Sequence, residues 1–251
     1  MGLFVGSDEA QAVYAGDTPA LAVYRGSELV WSSTPPPEWV PPASDLTNTC
    51  DGPEGTEVTV ANSAGGGDPW QLVNNWTYED TGMACPPVSQ ISIFQWDATG
   101  IALPAPAIPD VQQSVGFWFR VDTLTSARIH DMRNSSNNAT YGAVELRPNG
   151  ALRVLAGTTT VPESESPVLV LGRRYWVTYG LDNGAVEGSH RLLIQNPYGT
   201  VVHDWSGPLT GTGDDIGFRR FGKVTTSAAG LWFGTVKASS GVSTGLPLEA
   251  P

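Results

Sequence analysis

The clearest pattern along the chain is an alternation of apolar residues that recurs in its second half. Apolar side chains occupy every second position from Val115 to Val121 and again from Tyr175 to Leu181. Successive side chains of a strand point to opposite faces, so each run places its apolar residues on one face of a sheet. Comparable segments predict about twelve strands, at 57–61, 90–96, 114–121, 127–132, 142–147, 151–156, 168–171, 175–181, 191–195, 200–205, 216–221 and 231–237.

Turn signals separate these segments. Pro148-Asn149-Gly150 and Asp182-Asn183-Gly184 supply the Asn and Gly residues that adopt left-handed backbone in tight turns. No segment has a sustained helical period. Closely spaced strands without helices predict an all-β domain of two antiparallel sheets, a sandwich or jelly roll.

The first residues carry a different pattern, a repeat of ten residues. An aromatic side chain precedes a glycine by two positions at Phe4, Tyr14 and Tyr24. The repeat predicts short strands with tight turns, and a segment of this size usually needs a partner to stay folded. We therefore expect a small β-rich docking module whose candidate contact residues are Phe4, Tyr14, Gly16, Asp17, Tyr24, Gly26 and Trp31. The regular spacing of Tyr14, Tyr24 and Trp31 favours packing against a scaffold, and a sugar site is the alternative.

A proline-rich stretch separates the repeat from the strands, with five prolines among residues 35–42. Such a density removes the N–H donors that strands and helices need and favours a stiff polyproline II spacer, roughly 30 Å long over ten residues. The predicted organisation is a docking module at 1–33, a linker at 34–43 and one large β domain at 44–251.

The charge of the chain limits the classes of partner that it can bind. The 251 residues carry a net charge of −12 with only 13 Lys and Arg, which disfavours nucleic acid and anionic membranes as ligands. The opening residues lack the basic and apolar regions of a secretory signal, and no apolar run is long enough to span a membrane. Cys50 and Cys85 form either one disulfide or two buried thiols.

Three segments in order resemble a known fold family. Residues 115–121 (VGFWFRV), 145–152 (ELRPNGAL) and 172–177 (GRRYWV) are similar to the Gly-Phe-Trp-Phe strand, the Asn-Gly-x-Leu hairpin and the Gly-x-Trp-Tyr strand of concanavalin-A-like and laminin-G-like jelly rolls. The resemblance covers roughly residues 45–240 and implies a jelly-roll domain. This fold carries lectins, glycanases and adhesion modules, so it does not by itself identify a function.

The N-terminal repeats resemble a narrower family. Tyr14-Ala15-Gly16-Asp17-Thr18, the related unit from Tyr24, and Val30-Trp31 are similar to the opening segments of minor tail and other virion surface proteins of phages of actinobacteria. The resemblance implies docking on other virion proteins through residues 1–33 and a place on the tail or capsid surface. It also implies several copies per particle and synthesis in the host cytoplasm without a signal peptide.

Catalytic motifs are incomplete. Glycanases of the resembled fold carry Glu-x-Asp-x-x-Glu on one strand, and this chain has no such spacing. Residues 241–245 have the Gly-x-Ser-x-Gly form, but neither Asp nor His follows them as the triad order requires. We therefore expect no catalytic residues and a protein that is not an enzyme.

Two groups of residues are candidates for sugar contact, which needs flat aromatic rings together with amides. Trp70, Trp76 and Tyr78 form the first group, with packing at the edge of the sandwich as the alternative. The second group lies in an Asn-rich loop and consists of Asn137, Asn138 and Tyr141, with a plain flexible loop as the alternative.

The remaining polar candidates are one histidine and one pair of aspartates. His130 next to Arg128 and Asp131 forms either a polar site or an ordinary strand histidine. Asp214 and Asp215 either hold a cation such as Ca²⁺ or face water, and no cofactor is expected.

The sequence thus predicts a non-enzymatic virion component, a minor tail protein that presents a lectin-like domain to host cell-wall glycan. The alternatives are a structural decoration protein of the head or tail without a glycan ligand, and an enzyme on the same fold.

Overall fold

A computed structural model describes residues 46–97, 111–184 and 188–240, together with the backbone of four short strands between residues 14 and 32. Of the predicted docking residues, Phe4, Gly16, Asp17 and Gly26 and the side chains of Tyr14, Tyr24 and Trp31 lie outside the described residues. In chain order the strands are β1 (Tyr14–Ala15), β2 (Thr18–Pro19), β3 (Ala22–Arg25), β4 (Glu28–Ser32), β5 (Leu46–Asn48), β6 (Leu72–Val73), β7 (Thr77–Glu79), β8 (Gly82–Cys85), β9 (Gln90–Asp97), β10 (Gln112–Thr123), β11 (Ala127–Asn134), β12 (Thr140–Leu146), β13 (Leu152–Ala156), β14 (Thr159–Thr160), β15 (Tyr175–Asp182), β16 (Gly188–Gln195), β17 (Val201–Leu209), β18 (Ile216–Ser227) and β19 (Gly230–Ser240). The described helices are α1 (Val60–Ser63) and two 3₁₀ turns, Ala64–Gly66 and Pro162–Ser164.

The chain divides into two compact units, Met1–Val40 and Pro41–Pro251. In the first unit β1 pairs with β2 and β3 pairs with β4, both antiparallel. The two pairings are short, with two residue pairs in the first and four in the second.

The second unit contains two antiparallel sheets. The large sheet has the order β17-β16-β15-β10-β19-β8-β7, with β5 also paired to β19, and the small sheet has the order β14-β13-β12-β11-β18-β9-β6. The two sheets form a sandwich, which confirms the predicted all-β class. Strands β10 and β15, which carry the two alternating runs, are neighbours in the large sheet.

An aromatic core joins the sheets. Phe94 and Phe221 of the small sheet stack with ring centroids 5.3 Å apart, and Phe94 meets Phe233 of the large sheet edge-on at the same distance. Phe117 of β10 contacts Phe221 at 5.8 Å. Alternation therefore places aromatic residues of both sheets between them, where apolar burial stabilises the fold.

Ten of the twelve predicted strands are present and two predictions are wrong. Residues 57–61 were expected to be extended, but Thr59 accepts a hydrogen bond from the Asn62 backbone at 3.2 Å and Asn62 Oδ1 accepts one from the Thr59 backbone at 2.7 Å. This capping box starts α1. Residues 168–171 form a loop in which only Leu169 is buried, so its apolar residues belong to no sheet.

Cys50 and Cys85 are both buried free thiols. Burial raises the pKa of Cys85 to about 11, and it raises the pKa of Cys50 as well, so both thiols stay protonated at neutral pH. Among the described residues no helix is long and apolar enough to cross a membrane.

Candidate functional site

Three arginine side chains surround one carboxylate on the outer face of the small sheet. Asp131 of β11 lies opposite Arg220 of β18, which donates to it from Nε at 2.7 Å and from Nη2 at 2.5 Å. Nη1 of Arg133 and Nη1 of Arg128 lie 3.7 and 3.8 Å from Oδ2 of the same carboxylate. We call these four residues the arginine cluster.

A β-bulge makes the arginine cluster possible. Arg128 and Asp131 are three positions apart, and in a regular strand they would point to opposite faces of the sheet. The register of β11 against β12 shifts between Arg128 and His130, and the extra residue brings Arg128 onto the face of Asp131. Arg133 shares that face by ordinary alternation.

The arginine cluster carries more positive than negative charge. The Asp131 side chain is fully buried, while the side chains of Arg128, Arg133 and Arg220 are each 15–17% exposed to solvent. Burial is the largest cause that lowers the pKa of Arg133, and the positive charge of Arg220 is the next. The guanidinium groups thus sit at a partly open surface with one carboxylate among three cations.

The Asn-rich loop borders this surface. Nη2 of Arg133 donates to the Asn137 carbonyl at 2.7 Å, so the arginine cluster and the β11–β12 hairpin are directly joined. Within the hairpin Asn134 accepts from the backbone of Asn138 at 3.0 Å and donates to its side chain at 2.7 Å. Asn137 and Asn138 are exposed. The structure therefore places these two predicted glycan contacts on the hairpin that Arg133 of the arginine cluster contacts.

Tyr141, the third residue predicted in the Asn-rich loop, does not lie at the surface of the arginine cluster. Tyr141 is largely buried, and its hydroxyl donates to Asp214 at 3.3 Å. It connects β12 to the loop before β18 and leaves no open ring face for a ligand.

The aromatic candidates lie in the core. Trp70, Trp76 and Tyr78 are each at most 2% exposed. The Trp70 ring lies 4.3 Å from that of Trp96, and Trp76 meets Phe94 edge-on at 5.1 Å. These rings fill the end of the sandwich, so the sugar-contact interpretation is replaced by packing.

His130 points away from the arginine cluster and into the sandwich. It is fully buried against Phe221, with ring centroids 4.7 Å apart, and its Nδ1 lies 2.9 Å from the Arg220 carbonyl. Burial lowers its pKa to about 4, so the ring is neutral at pH 7. It is a strand histidine of the core and takes no part in a polar surface site with Arg128 and Asp131.

In the acidic pair at 214–215, Asp214 contacts protein groups and Asp215 is exposed. The Asp214 side chain accepts from Tyr141, and its carbonyl accepts from Asn183 Nδ2 at 2.8 Å. The described part of the chain contains no group of three His, Cys, Asp or Glu side chains with metal-binding geometry.

Comparisons place the fold among known architectures. No family model matches the chain, and no curated protein sequence matches it. Among solved structures it is similar to Trypanosoma rangeli sialidase, at 16% identity and a TM-score of 0.44 over 66% of this chain and 26% of the sialidase. It is also similar to alginate lyase A1-II′, at 11% identity and a TM-score of 0.48 over 80% of this chain and 100% of the lyase. The two antiparallel sheets of the chain itself, and not these likenesses, make it a β-sandwich, as predicted.

These comparisons correct one expectation. The missing Glu-x-Asp-x-x-Glu spacing led us to expect a protein that is not an enzyme, but the similar solved structures are a sialidase and an alginate lyase, both enzymes. The expectation of a non-catalytic protein is therefore withdrawn. At 11–16% identity the likeness extends to the fold alone, so no reaction or substrate is transferred to this chain.

Proposed function

We propose that this protein is a virion surface component of a phage, a minor tail protein that attaches the particle to glycan on the host cell. Residues 1–33 dock on other virion proteins, residues 34–43 act as the spacer, and the jelly-roll domain binds the glycan. The resemblance of the repeats around Tyr14 and Tyr24 to virion surface proteins supports the docking half of this proposal.

One observation supports the binding half. The exposed Asn137 and Asn138 lie on the hairpin that Arg133 of the arginine cluster contacts through the Asn137 carbonyl, and the three guanidinium groups of the cluster are partly open. Amides and guanidinium groups donate to and orient the oxygen atoms of a sugar. Because several copies on one particle act together, weak individual sites would suffice for attachment.

Binding of the fluorescently labelled full chain to intact actinobacterial cells tests this proposal. We expect saturable binding that extracted wall polysaccharide competes, and stronger retention when the protein is displayed in several copies on a bead. No binding even on beads would contradict the proposal and favour the structural decoration protein.

A matched pair of variants tests the position of the site. Asn137 has φ of +55°, so Asn137→Gly removes the amide without backbone strain. Asn75 has φ of +59° in the loop between β6 and β7, and Asn75→Gly is the control. We expect weaker cell binding for the first variant and wild-type binding for the second.

A further inference from the structure

The arginine cluster contains three cations and one carboxylate. Of the three arginines, Arg220 forms bidentate hydrogen bonds with both carboxylate oxygens of Asp131. Arg128 and Arg133 approach the same carboxylate only at 3.8 and 3.7 Å. Like charges gathered at a partly desolvated surface repel one another, so these two side chains add repulsion that a single carboxylate only partly offsets.

Two other arginines of the domain are balanced by carboxylates. On the outer face of the large sheet Arg120 has three carboxylates, those of Glu79, Asp80 and Asp122, within 3.5 Å. Next to the arginine cluster, Arg153 pairs with Glu145 at 2.6 Å. Among the described residues, only Asp131 lies within ion-pair distance of Arg128, Arg133 and Arg220.

Arg128 also has free donors. In the described part of the chain its side chain makes no hydrogen bond, and the buried Nε has no acceptor. Nε of Arg133 likewise has none, although Nη2 of that residue holds the Asn137 carbonyl. A guanidinium fork fits the paired oxygen atoms of a carboxylate or a phosphate.

We propose that the arginine cluster binds an anionic substituent, a carboxylate or a phosphate, carried by the glycan. The inference rests on the proposed glycan-binding function and adds the chemical class of the ligand. Arg128 and Arg133 contact the anion, Arg220 holds Asp131 in place beneath them, and the amides of Asn137 and Asn138 contact neighbouring hydroxyls.

The charge of the whole chain restricts the kind of polymer. With a net charge of −12 the protein repels a dense polyanion such as nucleic acid. Screening at physiological salt acts over about 8 Å, so a polymer whose charged groups are spaced apart feels the local cluster more than the distant acidic residues. Single anionic substituents on a glycan backbone meet this condition.

The test compares three dextrans of matched length with the full chain: dextran with sparse carboxymethyl groups for carboxylate, dextran with sparse phosphate groups for phosphate, and unmodified dextran as the neutral control. The variant is Arg128→Gln/Arg133→Gln. The control is Arg173→Gln/Arg191→Gln, which removes the same total charge from two arginines outside the cluster. Urea unfolding of both variants shows whether they stay folded, and Arg128→Gln alone serves if the double variant does not.

We expect binding to one or both anionic polymers, no binding to unmodified dextran, and a loss of about tenfold or more in affinity for the cluster variant. The control variant should stay within about twofold of the wild type. Preference between the two anionic polymers identifies carboxylate or phosphate as the ligand group. Equal affinity for unmodified dextran, or equal losses in both variants, would overturn the inference.

The same proteins separate this inference from the proposed function. If wild type binds cells and the cluster variant binds them equally well, glycan attachment stands and the anionic site fails. If wild type binds the anionic polymers through the arginine cluster but binds neither cells nor wall polysaccharide, the site stands and attachment fails.

Discussion

Asp131 on β11 and Arg220 on β18 are cross-strand partners, and the Arg220 guanidinium donates to both oxygens of the fully buried Asp131 carboxylate. The two strands are neighbours in the middle of the small sheet although the residues lie 89 positions apart in the chain. This contact fixes the centre of the arginine cluster and makes Asp131 the residue on which the cluster depends.

Among the described residues Asp131 supplies the only carboxylate within ion-pair distance of Arg128, Arg133 and Arg220, and Asp131→Asn removes its charge. We expect the free energy of unfolding to fall by about 3 kcal/mol, because uncompensated cations remain close together at a partly buried site. Asp122→Asn is the control, since Arg120 keeps Glu79 and Asp80 and the pair is more exposed, so its loss should stay below about 1 kcal/mol. Urea unfolding measures both, and equal losses would be inconsistent with a special role for Asp131.

Two buried histidines make stability depend on pH. Burial lowers the pKa of His130 and of His190 to about 4, below the ordinary value of 6.5. The unfolded chain therefore binds more protons between these values, and stability falls as pH drops through this window. The slope should reach about 1.4 kcal/mol per pH unit for each histidine.

Urea unfolding at pH 7, 6 and 5 measures that slope. The Tyr179 hydroxyl lies 2.7 Å from Nδ1 of His190, and His190→Gln retains a polar partner for it without a titrating group. The variant should lose about half of the slope that the two histidines produce. An unchanged slope would show that His190 does not titrate in this way.

Gly142 leaves room for the buried side chains of Tyr179 and His190. A Cβ at this position would overlap the Tyr179 hydroxyl and lie 3.0 Å from Cε1 of His190. We expect Gly142→Ala to cost about 1–3 kcal/mol, because a filled core has no space for the added methyl group. Gly65→Ala is the control, since no atom lies within 4 Å of its Cβ position. Thermal unfolding compares them, and equal midpoints would refute the overlap.

Trp76 should act on stability and leave ligand binding unchanged. Its ring packs edge-on against Phe94 and Phe233 in the core, so Trp76→Leu should lower the free energy of unfolding by about 3 kcal/mol. Tyr198→Leu, at an aromatic residue that is 53% exposed, should cost less than about 0.5 kcal/mol. The folded Trp76 variant should bind wall polysaccharide with wild-type affinity, and a binding loss at full folding would return Trp76 to the site.

Alternation in the sequence predicts most of the second half of the sandwich, because β10 and β15 bury one full face. It misses β5 to β8, since these strands are only two to four residues long. Val168 and Val170 look like strand residues yet lie exposed in a loop, because no neighbouring strand pairs with them. Short edge strands and apolar loops depend on tertiary contacts that local pattern does not contain.

The candidate site was only partly predictable. The composition of the Asn-rich loop predicts a candidate contact site, and the sequence places Arg128 and Asp131 beside His130. Their common face depends on a β-bulge, and Arg220 comes from a strand far along the chain. The missed signal was the cross-strand pairing of β11 and β18, which single-sequence periodicity does not give.

Hydrogen–deuterium exchange of the full chain, with and without saturating wall polysaccharide, tests the central claim most directly. Glycan attachment through the arginine cluster predicts protection in the hairpin from Arg128 to Tyr141 and at β18 near Arg220, with little change in the large sheet. Protection confined to the outer face of the large sheet, or no protection under conditions where the polysaccharide is bound, would contradict it.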